Sequence, residues 1–313
     1  MKKRTILFVT VLFILSVAAG ACAPRSVSDE PEPAADQPLQ VTVSILPLAY
    51  FVERITGDLV AVNVMVGPGD DAHTYEPKPD QMIALSESAL FFSIGMEYEE
   101  AWLPRFEEVN PEMEIINSAK GIERIMETIP DTHDDDDDHD DDDENDYEDE
   151  LGLDPHVWLT PANGKIIARN IYEALAAANP ENEVVFTANY AVLIEEIETL
   201  DNRILEILSG ISQRNFMVYH PAWGYFADAY DLTQLPIQTG GTDPSASELA
   251  SLIDLALEED IRVIFVQPQF SEANARAIAQ EIGGEVVKVD PLAYEWLSNL
   301  EIIADAFASA LGN

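Results

Sequence analysis

The chain has 313 residues, 47% hydrophobic and 8% aromatic, enough apolar material for the cores of two ordinary domains. Its 59 acidic residues against 16 basic ones give a net charge of −43. That excludes a nucleic-acid partner, because phosphate binding needs a basic face and the chain offers none.

At the N-terminus, Met1-Lys2-Lys3-Arg4 precedes an apolar stretch over 6–19 that is too short for a membrane span, then Ala19-Gly20-Ala21-Cys22. This resembles a bacterial lipobox and implies a signal peptide over 1–22, with Cys22 acylated and the protein anchored on the outer side of a membrane. Cys22 is the only cysteine. Once it is acylated, no thiol remains for a disulfide or a thiolate metal site, so a transition-metal site must use histidines and carboxylates. Residues 23–38, rich in Pro, Asp, Glu, Ser and Ala, read as a disordered tether.

From residue 39 strands and helices alternate. Residues 41–45 form a β-branched strand, 48–55 a helix ending at Gly57, and 60–66 a strand stopped by Gly67-Pro68-Gly69. A helix over 79–88, a strand over 90–94 ending at Gly95, a helix over 99–109 and a short strand over 114–116 follow. Near-continuous apolar strands separated by helices predict a parallel sheet covered on both faces.

Residues 131–150 then hold 15 carboxylates, His133 and His139, and no Lys or Arg. The run reads either as a solvated charge segment that keeps the protein soluble, or as a low-affinity cation collector built on His133 and His139. It lacks the fixed turn glycine of a calcium loop. It gives way to Leu151-Gly-Leu-Asp-Pro-His-Val-Trp-Leu-Thr-Pro161, where His156 stands fixed beside Pro155.

A helix over 161–178 starts with Pro161 in its first turn. The longest periodic segment is 181–209, closed by Gly210. Its apolar face runs through Phe186, Tyr190, Leu193, Ile197, Leu200, Ile204 and Ile207. It would span roughly 42 Å, more than one core requires, and so reads as a strut. The α/β pattern then begins again: strands over 216–219, 235–238, 262–266 and 285–289, and helices over 225–230, 245–258 (capped by Asp243-Pro244), 271–282 and 296–311. The expected architecture is two α/β lobes, 39–180 and 211–313, joined by one long helix over 181–210.

Three histidines of the folded body follow strand ends or precede a helix: His73 after 60–66, His220 after 216–219, and His156 before the helix at 161. Asp290 ends the strand 285–289. Ligands of open α/β sheets bind beyond the carboxyl ends of the strands. These four groups, two per lobe, would therefore meet in the crevice between lobes.

The segments Asp71-Ala-His-Thr-Tyr-Glu-Pro, Asp154-Pro-His-Val-Trp-Leu-Thr-Pro, His220-Pro-Ala-Trp-Gly-Tyr-Phe-Ala, Val263-Ile-Phe-Val-Gln-Pro-Gln-Phe-Ser and Val289-Asp-Pro-Leu occur in this order. They resemble the metal-binding lipoproteins of bacterial zinc and manganese ABC importers, over about residue 39 to the C-terminus. The resemblance implies two Rossmann-like lobes bridged by a long rigid helix, with metal held between them. His73, His156 and His220 then take the imidazole places and Asp290 the carboxylate place. It further implies an ABC permease as partner and an extracytoplasmic, lipid-anchored monomer. Zinc relatives often carry a His-rich insertion before the Asp-Pro-His segment, which here is mostly Asp. Gln267 stands where many relatives have Glu.

Three imidazoles and one carboxylate suit Zn²⁺. Manganese prefers more oxygens, and a manganese or mixed zinc/manganese protein is the alternative. A zinc hydrolase is the reading from another class. It is disfavoured because four protein ligands leave no water position, an objection that holds only with Asp290 coordinating, and because no His-Glu-x-x-His segment, nucleophile elbow or phosphate loop occurs. Release would follow from separation of lobes that each supply part of the coordination sphere, and adhesion remains open as an added role.

Overall fold

The computed structural model describes residues 38–128 and 152–312. The signal segment with Cys22, nearly all of the tether, and the acidic run with His133 and His139 lie outside the described residues. Among the described residues, no helix is long and apolar enough to cross a membrane.

The first half alternates β1 (Leu39–Ile45), α1 (Leu46–Thr56), β2 (Val60–Val66), α2 (Pro79–Ser86), β3 (Leu90–Ser93), α3 (Glu97–Val109) and β4 (Glu114–Asn117). Its four strands pair in parallel in the order β2-β1-β3-β4. Helices α4 (Pro161–Ala178) and α5 (Glu183–Leu208) lead to the second half. This comprises β5 (Asn215–Val218), α6 (Gly224–Ala229), β6 (Thr233–Pro236), α7 (Ala246–Glu258), β7 (Val263–Val266), α8 (Ala273–Ile282), β8 (Glu285–Lys288) and α9 (Trp296–Leu311). Its sheet has the same parallel topology, β6-β5-β7-β8. Each sheet thus reverses its winding direction beside its first strand, and a crevice opens at the carboxyl ends of the strands there.

The second sheet shows how the strand period distributes the core. In β5, Phe216 and Val218 face inward while Met217, with Tyr219 just beyond the strand, faces outward; in β7, Val263 and Phe265 alternate with Ile264 and Val266. The outward set packs under α7 and α8 through Leu252, Ala256, Ile278 and Ile282. The inward set joins the first lobe's core, and the two form one continuous apolar body.

Helix α5 buries Phe186, Leu193, Ile197, Leu200, Ile204 and Leu208 against α1, α4 and α9, while Tyr190 and Ile207 of the expected stripe are only partly buried. At 26 residues it extends about 39 Å. A turn at Pro180–Asn182 separates it from α4. The strut has a companion in α9. The Trp296 ring at the start of α9 lies 4.8 Å from Phe51 of the first lobe, and Trp296 Nε1 donates to Trp158 O at 2.7 Å. At the far end, Leu311 O accepts from Gln213 N just past α5. Gly164 on α4 makes room for this crossing, since a Cβ there would sit 2.4 Å from the Trp296 ring.

Helix α7 is capped by Ser245 with Glu248 in a reciprocal capping box, in place of Asp243-Pro244. The Asp243 carboxylate instead accepts the Tyr219 hydroxyl.

Candidate metal centre

Two of the three histidines, and Asp290, are set by the same short device. In Asp71-Ala-His73 and Asp154-Pro-His156 the Asp Oδ1 accepts the backbone N–H two residues on, at 2.9 and 2.8 Å. In Asp290-Pro-Leu292 it does so at 3.0 Å. Such side-chain turns hold a loop without a regular element. His220 is fixed differently. It stands two residues past the end of β5, and its peptide is gripped by Gln267, whose Nε2 donates to His220 O at 2.7 Å and whose Oε1 accepts His220 N–H at 3.3 Å. A glutamate at this place could make both bonds only when protonated, so glutamine is the residue that grips this peptide at neutral pH.

The three rings converge. One ligand atom from each of His73, His156 and His220 lies within 4.8 Å of the other two. The ring centroids are 4.7 to 5.2 Å apart. Each Nδ1 is tied to an oxygen: His73 to Glu97 Oε2 at 2.9 Å, His156 to Asp154 Oδ1 at 2.8 Å, His220 to Gln238 Oε1 at 3.1 Å. Gln238 Nε2 donates to Gly241 O, so its Oε1 faces His220, and His220 Nδ1 is the proton donor. His156 Nδ1 likewise donates to the Asp154 carboxylate. Both Nε2 atoms are then bare lone pairs, and they face each other at 3.4 Å. That matches the tetrahedral edge of about 3.3 Å for two imidazoles bonded to one Zn²⁺ at about 2.0–2.1 Å.

Burial tunes the site. His156 and His220 are pushed well below the usual histidine range, first by burial and then by their imidazole neighbours, so both are neutral and ready as ligands. His73 is half-buried. Burial opposes its charged form, but Glu97, with Asp71 and Glu127, outweighs it and holds His73 above the usual range. Asp154 is fully buried, and burial raises it to about 7 despite the His156 N–H and Arg124. Arg124 Nη1 and the Tyr225 hydroxyl both donate to Asp154 O. Gly224 admits the carboxylate, since a Cβ would lie 2.6 Å from Oδ2.

The cavity has a volume of about 20 Å³, on the scale of a water molecule and far too small for an organic substrate. Besides the three histidines it is lined by Asp71, Trp158, Gln269 and Phe270 among others. Asp290 is outside the converging group. Its Oδ1 is occupied by Leu292 N–H and by Gln269 Nε2 at 3.1 Å. Glu97, Gln238 and Gln269 were not singled out from sequence. Gln269 stands inside the quoted 263–271 segment, which shows no role for it, and no local motif marks Glu97 or Gln238, because each reaches its partner only through the packing of separate elements.

Known proteins compare as follows. The family model described as "Zinc-uptake complex component A periplasmic" (ZnuA) matches residues 41–310. The chain is 31% identical over 295 residues to the high-affinity zinc uptake system protein ZnuA of Bacillus subtilis (strain 168), covering 93% of this chain and 89% of that one. It is 28% identical over 277 residues to the zinc-binding lipoprotein AdcA of Streptococcus pneumoniae (strain ATCC BAA-255 / R6), covering 88% of this chain and 54% of that one, about half that relative's length. A solved structure described as a crystal structure of ZnuA superposes with a TM-score of 0.79 at 40% identity, over 88% of this chain and 100% of that one. The laminin-binding protein Lmb of Streptococcus agalactiae, described as bifunctional with adhesin and metal transporting activity, shares the fold at a TM-score of 0.73 and 22% identity, over 88% of this chain and 100% of that one.

Proposed function

This chain belongs to the ZnuA family of periplasmic zinc-uptake components, and on that premise we propose that His73, His156 and His220 capture one Zn²⁺ for delivery to an ABC permease. It is a solute-binding protein and not an enzyme. The observation that carries the ligand assignment is the pair of bare Nε2 atoms 3.4 Å apart, each with its Nδ1 already committed. Two lone pairs held face to face at this distance fit one cation bonded to both.

The same donors argue for zinc over manganese. The converging group contains three nitrogens and no carboxylate, and divalent affinities at such sites rise from manganese toward zinc. Asp290, which the resemblance puts in the carboxylate place, stands at the edge of this group. The full reading includes an acyl anchor at Cys22, a monomeric chain, lobes divided at 39–180, 181–210 and 211–313, and His133 and His139 as an accessory, weaker cation loop.

Release is assigned to the loop carrying His73. The lobes share one apolar core, so wide separation would expose Phe51 and Trp296, which pack across it, whereas His73 sits on the half-buried segment after β2. His156 and His220 then stay as a fixed pair while the third imidazole leaves.

Titrating the metal-stripped protein with Zn²⁺ and Mn²⁺, separately and in competition, tests this reading. One tight Zn²⁺ per chain that excess Mn²⁺ does not displace is expected, and removal of residues 131–150 should abolish only weaker sites. Comparable retention of Mn²⁺ would move the protein to the mixed-metal class.

The raised His73 pKa gives a pH prediction with a definite sign. Metal binding requires the neutral ring, so zinc affinity falls as pH drops through the His73 value. In Glu97→Gln the carboxylate that favours the imidazolium is gone and burial dominates, which lowers that value. The acid limb of a plot of zinc dissociation constant against pH should therefore move to lower pH. An unmoved limb would mean that a different group competes with the metal.

A further inference from the structure

Gln269 lines the cavity with the three histidines, and its amide has only one sensible orientation. Its Nε2 lies 3.1 Å from Asp290 Oδ1, and a carboxylate accepts but does not donate, so the NH₂ end must face Asp290. That leaves Oε1 as the end available to the cavity. This oxygen is buried and has no hydrogen-bond partner in the protein. A buried carbonyl oxygen left unpaired is costly and calls for an explanation, and a donor inside the cavity supplies one.

One oxygen of Asp290 is itself committed. Its Oδ1 holds the Leu292 N–H at 3.0 Å, the same turn device by which Asp71 and Asp154 set their histidines without joining the converging group. With the Gln269 amide on the same oxygen, Oδ1 serves the turn and the amide together.

Resting on the zinc-capture reading, we propose that Gln269 is the positioning residue of the fourth zinc position, where its Oε1 accepts a hydrogen bond from a water bound to the ion. Asp290 acts on the metal through this amide, by fixing which end faces the cavity, and is not itself a ligand. The ion is then held by three nitrogens and one water oxygen.

The test is a double-mutant cycle on the full chain, read by chelator competition for Zn²⁺. Gln269→Met, close in shape but without the carbonyl, should raise the dissociation constant about 10- to 100-fold, as loss of an outer-sphere partner does. The melting temperature of the metal-free protein should stay unchanged. Asp290→Ala should cost a similar factor, and the double mutant no more than the worse single, because both lie on one path to the metal. In the Co²⁺-substituted protein, the pH midpoint at which ionisation of bound water changes the visible bands should shift in both single mutants, which a purely structural role would not cause. Wild-type affinity in Gln269→Met would overturn the assignment. So would a full further loss on adding Asp290→Ala to Gln269→Met, or a wild-type Co²⁺ form with no water ionisation, since either would make Asp290 a direct ligand. His156→Ala run in parallel separates the two levels: if it too binds tightly, the capture reading fails, whereas if it alone loses binding, only the Gln269 assignment fails.

Discussion

Replacing His156 with Ala should raise the Zn²⁺ dissociation constant on the order of a thousandfold. Tight zinc sites in peptides yield about 10–16 kcal/mol, which shared among four bonds gives roughly 3–4 kcal/mol for one imidazole, or 10²–10³ in affinity. His156 merits the upper end because it is the most pre-set of the three. It is buried and neutral, with its Nδ1 proton held by Asp154 at 2.8 Å and its Nε2 aimed at that of His220. Little of its binding is spent on ordering the side chain. The fold should survive, because Asp154 keeps the residue-156 backbone N–H, and Arg124 and Tyr225 still hold the Asp154 carbonyl. The buried carboxylate does lose one donor, which costs about 1–3 kcal/mol of stability. Competition against a calibrated chelator, with circular dichroism as the check on folding, gives both numbers. Unchanged affinity in a folded variant would show that the tight site lies elsewhere.

Much of this site is legible in the residues, and what is not has a physical reason. Placing His73 and His220 after strands, and His156 beside Pro155, relies only on strand period and punctuation. The doubly wound sheets then bring the three rings together. Asp290 shows the limit of that rule. The strand-end position is correct, yet which neighbours its oxygens satisfy depends on Gln269, reached from another strand through tertiary packing. The repeated Asp-x-X pattern at Asp71, Asp154 and Asp290 is the local clue that such an aspartate first folds its own turn. Glu97 offers no local clue, since it meets His73 only because α3 starts beside the loop after β2. The last helix makes the same point at larger scale. Its period tells which face of α9 is buried, but not that Trp296 is seated on Phe51 of the other lobe.

That seating leads to the second large effect. Trp158→Ala should lower the stability of the metal-free protein by about 3–5 kcal/mol, the usual loss for a fully buried Trp truncated to Ala. For a chain of this size that is a drop of roughly 10 °C in melting temperature. The indole does more than fill space. Its Nε1 donates to Pro291 O at 2.7 Å, its own carbonyl accepts Trp296 Nε1, and its ring lies 5.4 Å from that of His156. It therefore joins the turn that carries His156 to the turn after Asp290 and to the start of α9. Losing it should loosen His156 and weaken zinc about 10- to 100-fold. Bound ligand stabilises by RT ln(1 + [L]/Kd), so the rise in melting temperature on adding a fixed zinc concentration should shrink in Trp158→Ala. Phe307→Leu is the control. Its ring packs on Phe216, Trp223, Phe226 and Phe265, inside the shared core. That variant should melt lower yet keep the full zinc-induced rise. If both variants keep it, Trp158 serves the core alone, and the coupling between lobe packing and metal geometry is absent.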